Sequence, residues 1–145
     1  MEKDFYTRWN FPNCVGAVDG KLIDIFAPNN SGSLTFNYKK RFSSVLMAVV
    51  DAKYKFIAVD IGADGSNCDS AVFNHSSFGK LWLTDSSKLM VPKTNKLPNS
   101  SVATPYVLVG DEAFGLKPNL LTPYSGTNLT LKKRIFNYRS ENSFE

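Results

Sequence analysis

The 145-residue chain has no apolar run approaching the ~18–20 residues needed to span a bilayer, so nothing in it points to a membrane. It opens on Met1-Glu2-Lys3-Asp4, without the apolar stretch of a secretory signal. It has only two cysteines, Cys14 and Cys68, too few for a disulfide framework or a four-thiolate zinc site, and they lack CxxC spacing. A single histidine, His75, argues against structural zinc and against histidine-based triad catalysis. Charge is sparse as well, at 21% of residues, with a net of +4 that by itself says little about partners. What the chain does have is 43% hydrophobic and 13% aromatic residues, enough for one packed domain.

Short apolar runs broken by turn residues set the expected architecture. Cys14 to Ala27 reads as strand material interrupted at Asp19-Gly20, and Pro28 to Ser33 as a loop. Ser44 to Asp51 is a continuous apolar run, as expected for a strand covered on both faces, and Phe56–Ile61 follows as its hairpin partner. Asp69-Ser70 is placed to cap a helix from Ala71 to Leu83. Lys88 to Pro105, with three prolines, reads as a surface connection, and Tyr106–Val109 as a buried strand ending at Gly110-Asp111. Asn119 to Thr127 reads as loop. Leu131, Ile135 and Tyr138 recur at i, i+4 and i+7 in a final basic helix. With no internal repeat or linker, this order predicts a single α/β domain with a mixed sheet.

Two acids share one local setting. Asp19 follows Val15-Gly16-Ala17-Val18, and Asp111 follows Val107-Leu108-Val109-Gly110. Parallel, neighbouring strands would bring both carboxylates out at one carboxyl edge, where open α/β sheets bind ligands. Close carboxylates repel each other, and a hard divalent cation such as Mg²⁺ or Mn²⁺ relieves that repulsion. Asp-Gly is also an ordinary turn, and an Asp at a strand end also caps helices. Two basic clusters, Lys39-Lys40-Arg41 and Lys132-Lys133-Arg134, lie among aromatics, a mixture suited to stacking bases and pairing phosphates as well as to a solvated turn and helix face.

Several blocks in order carry a resemblance: Gly16 to Lys21 (GAVDGK), Phe36 to Lys39 (FNYK), Val49 to Ala52 (VVDA), Tyr54 to Phe56 (YKF), Gly62 to Phe73 (GADGSNCDSAVF), Tyr106 to Leu116 (YVLVGDEAFGL) and Arg134 to Arg139 (RIFNYR). Together they resemble the PIF/Harbinger transposase family, to which the harbinger transposase-derived nucleases of animals belong. The resemblance implies an RNase H-like mixed sheet flanked by helices, a metal-dependent DNA nuclease or transposase reaction, and a triad of acids. It also implies DNA as substrate, a Myb-like partner protein and a location in the nucleus, with the cytoplasm as the alternative.

Carried onto this sequence, the family's first two acids are Asp19 and Asp111. Asp69 matches a further family Asp, often preceded by His where this chain has Cys68; helix capping explains Asp69 equally well. The third acid of relatives lies in a V-E-N-A-F-G block after a longer basic helix. Here Arg139 runs straight into Ser140-Glu141-Asn142-Ser143-Phe144, so Glu141 is the candidate, as if about two helical turns had been deleted; the alternative is an unrelated tail. A loss of about seven residues moves a helical side chain by roughly 10 Å along the axis, far more than metal ligation tolerates.

The expectation is thus residues 1–145 as a partial nuclease domain, C-terminally incomplete and without the family's N-terminal DNA-binding region. Its metal ligands would be Asp19, Asp69, Asp111 and Glu141, with Asp19, Asp111 and Glu141 as the catalytic acids. Its DNA contacts would be Lys39, Lys40, Arg41, Lys132, Lys133 and Arg134. The alternative is a domesticated or decaying copy without catalysis, serving as a DNA-binding or protein-interaction module.

Overall fold

The computed structural model describes residues 2–30 and 32–142. The amino-terminal segment forms a helix, α1 (Glu2–Trp9), which the apolar patterning did not announce. Three strands follow: β1 (Cys14–Asp24), β2 (Ser43–Val50) and β3 (Phe56–Asp64). Two helices come next, α2 (Asp69–His75) and α3 (Ser77–Asp85). A small hairpin, β4 (Thr94–Lys96) with β5 (Ala103–Pro105), precedes β6 (Val107–Gly110) and β7 (Leu120–Leu121), and α4 (Leu131–Glu141) ends the described chain. No helix among the described residues is long and apolar enough to cross a membrane.

The main sheet has five strands in the order β3-β2-β1-β6-β7. β1–β2 and β2–β3 are antiparallel, whereas β1–β6 and β6–β7 are parallel. This mixed sheet flanked by helices is the arrangement expected of an RNase H-like fold. One face packs under α2 and α3, where Val18, Val45, Met47, Val49 and Leu108 meet Val72, Phe73 and Trp82. The other packs under α1 and α4, where Ala17, Val107 and Val109 meet Phe5, Phe11 and Phe136. Burying one such side chain contributes about 1.5–3 kcal/mol, so this two-sided packing fixes the central strands firmly.

Several sequence expectations are corrected. β1 is not interrupted at Asp19-Gly20; it runs through to Asp24 because β2 pairs with it continuously from Ala17↔Val50 to Asp24↔Ser43. β2 is not covered equally on both faces. Its burial alternates, with Ser43, Val45, Met47 and Val49 inside and the intervening residues half-buried.

The helix expected over 71–83 is two helices, broken at Ser76. That residue is extended (φ −63°, ψ 153°), and its Oγ accepts from Gly79 N–H while donating to Phe73 O. A Cβ on Gly79 would overlap the Phe73 carbonyl, so the tight corner depends on that glycine. The connection from 88 to 105 contains the β4–β5 hairpin, and the stretch from 119 to 127 contains β7. In α4 the stripe of Leu131, Ile135 and Tyr138 faces outward. Phe136 packs instead, edge-on to Phe11 and Tyr124, with Ser140 buried beyond it.

Candidate metal centre

Parallel pairing of β1 with β6 sets Val18 beside Gly110, so the residues that follow, Asp19 within β1 opposite Ala48 and Asp111 just beyond β6, lie side by side. The third acid arrives from the α2 layer. After β3 the chain turns through Gly65, whose N–H donates to Ser43 O; a Cβ there would overlap the Ser43 hydroxyl. That close approach presses the turn onto the start of β2 and delivers the first residue of α2, Asp69, over Gly20. A Cβ on Gly20 would collide with the Asp69 carboxylate, so the glycine after Asp19 is the clearance that lets this carboxylate in.

Asp19, Asp69 and Asp111 thereby form a cluster in which one carboxylate oxygen from each lies within 4.8 Å of the others. Their local anchors differ. Asp19 Oδ1 accepts from Gly20 N–H at 2.8 Å. Asp111 caps the short 3₁₀ turn Glu112–Phe114, its Oδ1 accepting from Ala113 N–H at 2.9 Å. The cap position of α2 is Cys68, which makes no side-chain cap bond, so Asp69 is not the cap that the sequence also allowed.

The electrostatics follow from this crowding. Partial desolvation at the sheet edge raises the Asp19 carboxyl above its ordinary value, the Gly20 N–H opposes the rise, and the Asp111 charge adds to it. Asp69 is raised in the same way, first by desolvation, then by the charges of Asp111 and Asp19. Three oxygen donors with mutual repulsion are the donor set that a hard divalent cation satisfies. On chemistry and clearance, the residues fit such an ion.

The other candidates lie apart from the cluster. Glu141 is the exposed last residue of α4 and does not join the three carboxylates. His75 turns its Nδ1 to the Ala71 carbonyl of its own helix, at 2.7 Å. Of the first basic group, Lys39 lines a cleft with Gly20 and Asp69, Lys40 sits in the same turn, and Arg41 is paired with Asp24 at 2.6 Å. The second group is elsewhere. Lys132 lines a largely apolar cavity of about 440 Å³ with Asn13 and Val107, at the amino ends of β1 and β6. Lys133 lies over the Tyr124 ring at 4.9 Å, and Arg134 is an exposed residue of the same helix.

Sequence reasoning did not single out Lys21, whose backbone position lines the cleft beside Gly20. Cys14 is fully buried, which pushes its thiol up to about 12, whereas Cys68 is exposed at the mouth of the cleft.

Residues 18–143 match the family described as DDE superfamily endonuclease. The chain is similar to Protein ALP1-like of Arabidopsis thaliana, with 35% identity over 130 residues, 88% of this chain. The match covers 31% of that relative, so the chain spans about a third of its length. No solved structure matches significantly. The matched region takes in β1, α2, β6 and with them all three clustered aspartates, and the chain therefore belongs to the DDE superfamily endonuclease family.

Proposed function

We propose that this domain binds a divalent cation, Mg²⁺ or Mn²⁺, through Asp19, Asp69 and Asp111 and acts on DNA phosphodiester bonds. The observation that carries the proposal is the convergence of three carboxylates from three separate elements on one 4.8 Å cluster. Such an ion, when bound, supplies positive charge to the phosphate and an activated water for in-line displacement. The chain's own part is positional. β1 and β6, packed on both faces, hold Asp19 and Asp111, and the Gly20 clearance admits Asp69 as the third carboxylate. Lys39 and Lys40, beside the same cleft, attract the phosphate backbone toward the acids. A DNA substrate carries a nuclear location with it, and the Myb-like partner implied by the family resemblance belongs to the same proposal.

A second reading, a domain that holds DNA and cation without cutting, is favoured by the position of Glu141 outside the cluster. Nicking of supercoiled DNA in Mn²⁺ separates the two. Cleavage abolished by Asp19→Asn supports the first reading, and DNA binding without cleavage supports the second.

A further inference from the structure

A cleft of about 680 Å³ opens from the acidic cluster between the start of α2 and the loop joining β1 to β2. Its lining combines Gly20 and Asp69 with the positive charge of Lys39 and the aromatic surface of Phe36 and Tyr38.

The loop that presents the aromatics is built to hold its shape. Asn37, only 3% exposed, accepts from the N–H groups of Lys39 and Arg41 at 2.8 and 3.2 Å and donates to Ser43 Oγ at 2.8 Å. Its backbone N–H donates to Arg41 O, and Lys40 takes the left-handed conformation (φ 57°) that closes the turn. Phe36 is braced edge-on against Phe42. The result is an anchored loop whose tip residue, Tyr38, is 82% exposed, with the Lys39 ammonium 5.5 Å from its ring centre.

An aromatic ring left in solvent by a loop this well anchored is a stacking platform. Bases inside a duplex are already stacked on both sides and offer such a ring nothing, whereas an unpaired base offers a free π-face. The volume lies within the ~300–1,000 Å³ of sites that enclose small ligands. We propose that this cleft is a single-strand subsite that takes an unpaired nucleotide next to the reacting phosphodiester, its base stacked on Tyr38 and its phosphate held by Lys39. The assignment of a reacting phosphodiester rests on the reading of the three aspartates given above; the stacking site does not.

The test therefore runs in EDTA, where the cation site plays no part. Binding of a fluorescent twelve-nucleotide oligothymidylate and of a duplex of equal length is followed by anisotropy for the full chain. Tyr38→Ser changes only an exposed ring, so the fold is retained. It should weaken single-strand binding roughly 5- to 100-fold while leaving duplex binding unchanged. Lys39→Ala should weaken it and reduce its salt slope by about one.

Cys68 gives an independent readout, because it lines the cleft and the other cysteine, Cys14, is buried. The oligonucleotide should slow maleimide labelling of Cys68, and labelled protein should bind it poorly. Unchanged single-strand binding by Tyr38→Ser, an equal loss for duplex, or unprotected labelling of Cys68 would each overturn the subsite. A separate Mn²⁺ titration reports on the aspartates, so either assignment can fail without the other.

Discussion

The two halves of the main sheet are built differently. In the β1–β6 half both faces are covered, and Leu108, Val109 and Val18 are at most 1% exposed. In the β2–β3 half only the face under α2 and α3 is packed, and along the edge strand Phe56, Val59 and Ile61 are 67%, 48% and 68% exposed. Asp19 and Asp111 directly follow the fully buried stretches 14–18 of β1 and Val107–Gly110 of β6. The cleft residues Phe36, Tyr38 and Lys39 come from the loop leading into the open half. Close packing lies directly behind two of the three clustered acids, and the rest of the sheet is left with exposed apolar surface.

The comparison breaks most readily at its covered side. Leu108→Ala leaves a cavity between the strands and α3 and should cost about 2–5 kcal/mol in urea unfolding. A value below about 1 kcal/mol would mean that the two halves do not differ. The next effect concerns the clearance over β1. Gly20→Ala sets a Cβ against the Asp69 carboxylate, so it should displace that group and weaken Mn²⁺ binding at least tenfold, roughly 1.4 kcal/mol, with little loss of secondary structure by circular dichroism.

A smaller effect lies in the pH dependence. Asp19 and Asp69 are raised in the folded protein above the ordinary 3.8, so the folded state holds their protons more tightly than the unfolded chain. Their contribution to stability is present below that value and is lost as pH rises through the raised ones. In chelator, the thermal midpoint of the wild type should therefore fall with pH across this window relative to Asp69→Asn. Solvent screening at this edge keeps the difference below about 1 kcal/mol. Added Mn²⁺ should remove it at neutral pH. The smallest effect is expected on the open side, where Ile61→Thr should stay within about 0.5 kcal/mol of wild type.

How much of this was legible in the sequence depended on whether the determining forces were local. The strands and the shared setting of Asp19 and Asp111 were readable, because apolar runs ending in Gly-Asp and Asp-Gly are local signals. Their convergence required only that β1 and β6 be parallel neighbours, which they are. The break at Ser76 was not readable from periodicity, since it depends on a hydroxyl bridging two turns and on a glycine pressed against a carbonyl three-dimensionally close to it. The side on which α4 packs was misread for a related reason. Leu131, Ile135 and Tyr138 have the right spacing, but Asn137 fixes the rotation by bonding the backbone N–H and C=O of Tyr124, both at 2.8 Å. Asp69 was ambiguous by its nature, since a residue at a helix start serves a cap or a site equally until the Gly20 clearance is seen.

The central claim is that Asp69 completes one cation site with Asp19 and Asp111. Calorimetric titration of the folded chain with Mn²⁺ tests it most directly, with Asp69→Ala set beside Asp19→Ala and Asp111→Ala. The account predicts one site in the wild type that each of the three substitutions abolishes. Wild-type binding retained by Asp69→Ala, or no binding by a folded wild-type chain, would contradict it.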